Sequence, residues 1–202
     1  MPDFIVYLAS QSPRRRELLT QIGIAHRVLS IDIDEQRRAH EAPLDYVQRL
    51  AREKAAAGWR QLIAQALPPA PVIGADTAVV IDDVILGKPA DKFAALAMLR
   101  QLSGRSHEVL TGVAVHSSDG AQCTASRTRV WFRALDSAEI EDYWTSGEPR
   151  DKAGAYGIQG LAAKFIERIE GSYSGVVGLP LFETAELLRQ LHIPLSLRAQ
   201  RV

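Results

Sequence analysis

The order of strand and helix patterns constrains the fold of this sequence more than any other feature. Two long strand patterns, Glu108–Val115 and Thr124–Phe132, follow each other directly through a turn at Ser117–Gly120. Before them, short apolar runs alternate with helical periodicity, which is typical of parallel strand pairs. A chain with both patterns predicts an α/β or α+β fold with a mixed sheet, and we favour the α/β class, with a twisted mixed sheet flanked by helices. The other predicted strands are Phe4–Ala9, Ala25–Ile31, Val72–Ala75, Thr77–Ile81, Val84–Leu86 and Phe165–Ile169, and the predicted helices are about Pro13–Ile22, Leu44–Leu67, Asp91–Leu102, Asp136–Thr145 and Leu181–Leu191.

Charge and cysteine content exclude several classes of protein. Acidic and basic residues number 24 each, so no basic excess suggests binding to a nucleic-acid polymer. No apolar run approaches the ~20 residues that would span a bilayer, and membrane association is not predicted. Cys123 is the sole cysteine, which rules out an internal disulfide and favours the cytoplasm. We interpret Cys123 as a packing residue rather than a nucleophile.

The start of the first predicted helix carries charge of the wrong sign. In LASQSPRRREL, Ser12 suits the N-cap and Pro13 the first helical position, but arginines follow where the helix dipole favours acidic residues. Arg15 shares a face with the apolar residues of the helix, and Arg14 lies at the edge of that face. The alternatives are a solvated helix start, which we prefer for Arg16, or an anion site at Arg14 and Arg15.

Further charged residues lie next to apolar patterns. Lys54 borders the apolar stripe of the long helix, whereas Arg49 and Glu53 form an i, i+4 pair expected to face water. Asp76 is expected just beyond the strand Val72–Ala75, where α/β proteins commonly place site residues. Each has an ordinary alternative: Lys54 can extend its amine to solvent, and Asp76 can cap a turn. Glu35 in a polar loop and Lys88 in a Lys-Pro turn can simply be exposed.

The segment DKAGAYGIQG contains Gly154, Gly157 and Gly160 but is not a phosphate-binding P-loop, since GxxxxGK[ST] is absent. By itself this segment predicts no more than a flexible connector. No nucleophile elbow surrounds Ser10 or Ser12, and the histidines lack metal-ligand spacing. The remaining pattern is two or three cations and two carboxylates from separate segments. That set suits a polyphosphate bound with a hard divalent cation and predicts a phosphate-handling enzyme.

The same segments, in the same order, resemble the Maf family over about residues 5–192. The motifs that carry the resemblance are LASQSPRRRELL, the Glu35 loop, REKA around Lys54, GADTAVV, ILGKP, HEVLTGVAV, DKAGAYGIQG and GSYSGVVGLP.

The resemblance implies a nucleoside triphosphate pyrophosphatase, which hydrolyses a nucleotide between its α- and β-phosphates. It also implies a single domain over residues 1–202, elongated, with two lobes around a central cleft and a fold related to the inosine triphosphatases. A divalent cation, Mg²⁺ or Mn²⁺, and a homodimer are further expectations.

Family roles carry over to matching positions of this chain. The basic motif falls on Ser12, Arg14 and Arg15, which would bind the substrate. Lys54 and Lys88 would assist catalysis. Asp76 corresponds to the proposed proton acceptor, and it would hold the metal together with Glu35. Whether Asp76 deprotonates the attacking water or mainly positions metal and water stays open.

Three positions resemble the branch of the family that acts on dTTP and UTP: Arg14, Thr77 and Gln159. A side-chain amide such as that of Gln159 can pair with the donor and acceptor edge of uracil or thymine. The alternatives are a pyrophosphatase for 7-methyl-GTP or another modified nucleotide, and a non-catalytic nucleotide-binding regulator of septum formation.

Overall fold

The computed structural model describes residues 6–193 of the 202-residue chain. The strands are β1 (Val6–Leu8), β2 (His26–Val28), β3 (Val72–Ile81), β4 (Val84–Leu86), β5 (Ser106–Ser117), β6 (Gly120–Phe132) and β7 (Ile166–Glu170). The α-helices are α1 (Pro13–Gln21), α2 (Pro43–Ala64), α3 (Lys92–Leu102), α4 (Ser137–Thr145), α5 (Tyr173–Val177) and α6 (Leu181–Gln190), and 3-10 turns cover Glu148–Asp151, Ala153–Ala155 and Leu161–Phe165.

The strands form one mixed sheet, as the order of the sequence patterns predicts. The strand order is β2-β1-β3-β5-β6-β7, and β4 pairs with β3. β1 is parallel to both β2 and β3, while β3–β4 and β6–β7 are antiparallel. The predicted α/β class with helices and a mixed sheet is therefore confirmed.

The described residues divide into two compact units. The first comprises the described parts of Met1–Asp76, Thr111–Ser126 and Gly178–Val202, and the second comprises Thr77–Leu110 and Arg127–Val177. A core cluster of the first unit joins Tyr7, Leu29, Leu62 and Val72. The second unit has its own core around Leu99, Phe132 and Phe165.

Local sequence signals explain the starts of two helices. Asp91 caps α3 by accepting from the Ala94 N–H, and Asp136 forms a capping box with Glu139 at the start of α4. Ser12 occupies the N-cap position of α1, but its side chain makes no capping hydrogen bond. The tight hairpin between β3 and β4 turns at Asp82 and Asp83, both with positive φ.

One predicted strand end is wrong, and one helix was not predicted. The strand pattern at Val72–Ala75 does not end before Asp76, because β3 runs without interruption to Ile81 and Asp76 lies within it. The helix α5 was not predicted, since Gly175 in its middle and Gly171 and Gly178 around it gave no helical periodicity. Of the predicted strand Phe4–Ala9, residues 4 and 5 lie outside the described part.

None of the helices within residues 6–193 combines the length and apolar character needed to cross a bilayer.

Candidate active site

Lys54 lies at the centre of a cluster of three charged side chains in the first unit. Its Nζ is 2.6 Å from Asp76 Oδ1 and 2.7 Å from Glu35 Oε1. The side chains of Lys54 and Asp76 are 11% and 12% exposed, whereas that of Glu35 is 58% exposed. Three charged groups predicted from separate segments therefore meet at one nitrogen, with Glu35 forming the solvent side.

The close approach of α2 to β3 brings Lys54 to Asp76. Gly74 and Asp76 are two residues apart on β3, so they share one face of the strand. A Cβ added at Gly74 would lie 2.5 Å from the Ala55 nitrogen and against the Ala51 carbonyl oxygen. Only glycine permits this approach, and Lys54, between those two alanines on α2, then reaches the Asp76 carboxylate.

Arg15 lies beside this cluster, and hydrogen bonds to other residues of the chain hold its guanidinium in place. Its Nε donates to the Gly178 carbonyl at 2.8 Å, and its Nη1 donates to Ser10 Oγ at 3.1 Å. The Ser12 N–H donates to the same Ser10 oxygen. Burial lowers the pKa of Arg15, and the charges of Asp76 and Glu35 act in the opposite direction. The guanidinium is therefore close enough to interact electrostatically with both carboxylates.

The remaining arginines of α1 follow the predicted division. Arg14 is half-buried and its charge lowers the pKa of Arg15, so the two cations are near neighbours. Arg16 is exposed to water. No acidic residue lies in the first turn of α1, which leaves the positive charge at this helix start uncompensated within that turn.

The loop that carries Glu35 is held on α2 by two side chains. Tyr46 donates its hydroxyl to the Glu35 carbonyl at 3.0 Å, and Arg49 Nη2 donates to the Gln36 carbonyl at 3.0 Å. Arg49 also binds Glu41 through two nitrogens, at 2.5 and 2.9 Å. The backbone that follows the Glu35 side chain is thus positioned by α2.

Burial of Arg49 corrects the prediction that its pair with Glu53 faces water. The Arg49–Glu53 contact exists at 3.0 Å, but the Arg49 side chain is only 12% exposed. Its main partner is Glu41, whose pKa the Arg49 guanidinium lowers to about 2. The i, i+4 spacing indicated the pair with Glu53, whereas nothing in the sequence spacing indicated the loop contacts of Arg49.

The donor set fits a hard divalent cation in part. Mg²⁺ is commonly bound by one or two carboxylates together with substrate phosphate oxygens and water. Asp76 and Glu35 supply two such carboxylates, since both contact the same lysine nitrogen. Across the described residues, no group of three or more His, Cys, Asp and Glu side chains is arranged to hold a metal. Oxygens of a bound substrate would have to complete the coordination.

The other three predicted site residues belong to the second unit. Thr77 follows Asp76 on β3 and points to the opposite face, because successive strand residues alternate. Lys88 and Gln159 are exposed. Ser12, Arg14, Arg15, Glu35, Lys54 and Asp76 all belong to the first unit, where Glu35, Lys54 and Asp76 are in direct contact. The catalytic, binding and metal-holding roles of all nine residues stay predictions.

The glycine-containing segment is more ordered than a flexible connector. Residues 154–158 are all buried, and Gln159 is the exposed residue that follows them. Gly154 donates its N–H to the Gly87 carbonyl, which joins the segment to the turn before Lys88. The sequence prediction failed here because the partners of these glycines lie far away along the chain.

An open cavity of about 610 Å³ lies elsewhere in the first unit, against β6 and α6. None of the predicted site residues lines it. Cys123, one of its lining residues, is half-buried against Ala51, Ala55 and Ala114, as expected for a packing residue.

The fold and site together define an α/β protein with a buried carboxylate–lysine cluster beside helix-start arginines. The family model described as Maf-like protein matches residues 5–191 of this chain, and the chain belongs to the Maf family.

Similar proteins cover nearly the whole chain. A dTTP/UTP pyrophosphatase of Bordetella avium is 56% identical over 94% of this chain and 96% of its own length. Proteins of the same name are 55% identical in Cupriavidus pinatubonensis, over 96% of this chain and 99% of theirs, and 52% identical in Aliivibrio fischeri, over 92% and 97%.

Proposed function

We propose that this protein is a nucleoside triphosphate pyrophosphatase that hydrolyses dTTP and UTP to the monophosphate and pyrophosphate. The observation that carries the proposal is the contact of buried Lys54 with Asp76 and Glu35, with Arg15 close enough to interact with both. The names of the relatives that match over more than nine-tenths of the chain support the choice of substrate.

The helix-start arginines are explained by a polyphosphate substrate. Arg14 and Arg15 stand where a helix favours negative charge, and a triphosphate supplies it from outside the chain. Guanidinium groups and backbone N–H groups at this helix start both suit phosphate oxygens. Ser12, at the N-cap position, contributes its hydroxyl and backbone to the same binding region.

In the proposed reaction, water attacks the α-phosphorus, the bond to the bridging oxygen of the β-phosphate breaks, and pyrophosphate leaves. Asp76 accepts the proton of the attacking water or holds that water in place. Lys54 orients the Asp76 carboxylate, and together with Arg15 and Lys88 it offsets the negative charge that develops on pyrophosphate. Glu35 and Asp76 would hold Mg²⁺ or Mn²⁺, which neutralises phosphate charge when bound.

Base recognition is assigned to Thr77 and Gln159. The exposed amide of Gln159 can donate to and accept from the edge of uracil or thymine, which carries both kinds of group. We also propose that the protein acts in the cytoplasm and forms a homodimer. Light scattering in solution, which measures the molar mass, tests the homodimer.

The decisive experiment measures pyrophosphate release from dTTP, UTP, CTP, GTP and 7-methyl-GTP, with Mg²⁺ or Mn²⁺ and with a chelator. Metal-dependent turnover of dTTP and UTP above the others is the expected result. Preference for 7-methyl-GTP would keep the reaction and overturn the base assignment. Nucleotide binding without pyrophosphate release by folded protein would favour a non-catalytic regulator instead.

A further inference from the structure

Gln159 projects from a tight turn whose neighbours are packed. Gly160 donates its N–H to the Gly157 carbonyl at 3.0 Å, which places Ile158 and Gln159 at the centre of a β-turn. Gly157 and Ile158 are buried, and Gln159 is exposed. The direction of the Gln159 side chain therefore depends on what fixes the two ends of this turn.

Glu148 and Tyr143 fix both ends. Glu148 Oε2 accepts from the Leu161 N–H at 2.8 Å, on the far side of the turn. Glu148 Oε1 accepts from the Tyr143 hydroxyl at 2.8 Å. That hydroxyl in turn accepts from the Gly157 N–H at 3.2 Å, on the near side. One carboxylate thus binds residue 161 directly and residue 157 through a buried phenol.

The turn lies directly against this carboxylate. A Cβ added at Gly160 would lie 2.5 Å from Glu148 Cδ, so a side chain there would displace the carboxylate. Tyr143 is itself fixed, since its ring packs edge-on against Phe165 with ring centres 5.2 Å apart. Burial and the hydrogen bond to Glu148 both raise the pKa of Tyr143, which therefore stays a protonated donor to Glu148.

We propose that Glu148, acting directly and through Tyr143, is a positioning residue that sets the Gln159 turn and thereby the selectivity for the base. This inference rests on the proposed function, in which Gln159 contacts the pyrimidine. A carboxylate is needed because it accepts from both donors at once. The amide of a Glu148→Gln variant keeps one acceptor and presents an N–H group to the other donor.

The test compares Glu148→Gln and Tyr143→Phe with Glu141→Gln as a matched control. Glu141 is on the same helix as Tyr143 and pairs with Lys92, and the two side chains are 43% and 44% exposed. We expect the two test variants to lose about tenfold in the preference for UTP over CTP, mainly through a higher KM for UTP. The control is expected to keep the wild-type preference.

A double variant with Gln159→Ala distinguishes a positioning role of Glu148 from a general loss of structure. Gln159→Ala is expected to lower the same preference, and adding Glu148→Gln to it is expected to lower the preference no further. Additive effects of the two substitutions would overturn the inference. So would an unchanged UTP to CTP ratio in Glu148→Gln.

Hydrogen exchange gives a readout that does not depend on turnover. The amides of Gly157 and Leu161 are expected to exchange faster in Glu148→Gln than in Glu141→Gln, and equal exchange would overturn the inference. A wild-type protein that releases no pyrophosphate from any nucleotide would overturn the proposed function. In that case the exchange experiment still decides whether Glu148 holds the turn.

Discussion

Lys54 binds two carboxylates of unequal exposure, and that inequality suggests a division of roles. Asp76 is buried beside the lysine and cannot reorient freely, whereas Glu35 reaches the same nitrogen from a largely exposed position. A fixed carboxylate suits the orientation of a reacting water, because catalysis depends on precise placement of the reacting groups. An exposed carboxylate can adapt to a cation that arrives with its nucleotide.

Replacing Asp76 by Asn tests this division. The amide cannot accept a proton and carries no charge for Lys54 or a metal, so kcat is expected to fall by about 10²- to 10⁴-fold. Pyrophosphate release and circular dichroism measure the rate and the fold. The control is Asp82→Asn, at the exposed hairpin turn that follows the same strand. Near-normal turnover by folded Asp76→Asn would refute the assignment.

Arg49 supports the site indirectly, because it holds the loop that carries Glu35. Arg49→Met removes the donors to the Gln36 carbonyl and the guanidinium partner of Glu41, whose carboxylate keeps a hydrogen bond from the Arg38 N–H. Breaking a pair this buried is expected to lower the free energy of unfolding by about 3 kcal/mol and to raise the KM for the nucleotide. Urea denaturation and steady-state kinetics measure the two effects.

The control for Arg49 is Arg189→Met. Arg189 pairs with Glu186 on α6, but the two side chains are 67% and 37% exposed, so its loss is expected to cost less than about 1 kcal/mol. Equal effects of the two substitutions on the free energy of unfolding and on KM would show that the loop contacts of Arg49 contribute no more than an exposed ion pair.

How far the sequence predicts the site is clearest at single residues. Lys54 and Asp76 were singled out because their charges border apolar patterns, and Glu35 only because its loop resembles that of the Maf family. The structure brings the three together. Arg49 and Tyr46 were missed as supports of the Glu35 loop, because each holds that loop by donating to a backbone carbonyl. Any residue in that loop could supply a carbonyl, so no residue type marks the contact.

At the scale of elements, the packing of α2 on β3 determines the geometry of the site. The strand prediction stopped at Asp76 because aspartate is disfavoured in strands. The sequence pattern does not show that a lysine from α2 lies within 2.6 Å and compensates the buried charge. The helix α2 was predicted well, since its apolar spacing persists over 22 residues.

Gly74→Ala tests the packing of α2 on β3. The added methyl group would meet the backbone at Ala51 and Ala55, and backbone cannot move aside as a flexible side chain can. We expect the free energy of unfolding to fall by about 1–3 kcal/mol and turnover to fall as Lys54 moves from Asp76. Chemical denaturation and pyrophosphate release measure these effects.

Gly87→Ala is the matched control for this packing. A Cβ at Gly87 meets no atom within 4 Å, and the change is expected to stay within about 0.5 kcal/mol. If Gly74→Ala is as stable as Gly87→Ala, the close approach of α2 is not what holds Lys54 in place.

At the scale of the whole molecule, the residues proposed to activate water and an aromatic core cluster belong to different units. The carboxylate–lysine cluster lies in the first unit, whereas the second unit contains the core around Phe132 and Phe165. A titrating group within that second core therefore reports on stability without taking part in the proposed reaction. His107 is such a group, 3% exposed, with Nε2 at 2.8 Å from the Tyr156 hydroxyl.

Because His107 is buried in its neutral form, we expect the free energy of unfolding to fall in mild acid. Burial lowers the pKa of His107 from its ordinary value of 6.5 to about 4, so the folded protein keeps this ring neutral while the unfolded chain takes up a proton. The stability that depends on the neutral ring is complete above pH 6.5 and decreases as the pH falls toward 4. The decrease reaches about 3 kcal/mol at 1.36 kcal/mol per unit of pKa.

His107→Gln isolates this contribution, because its amide can still bond to Tyr156 but does not titrate. The difference in free energy of unfolding between wild type and variant, measured in urea from pH 7 to pH 4, is expected to shrink or reverse as the pH falls. Taking this difference cancels the contribution of His116, which both proteins share. The pKa of His116 is also lowered, by burial and by the charge of Arg60. The difference also cancels the contributions of carboxylates such as Glu41 and Glu139. Their pKa values are lowered to about 2, so the stability that depends on their charge is lost mainly at lower pH. A difference that stays constant across this range would mean that His107 is not buried in its neutral form.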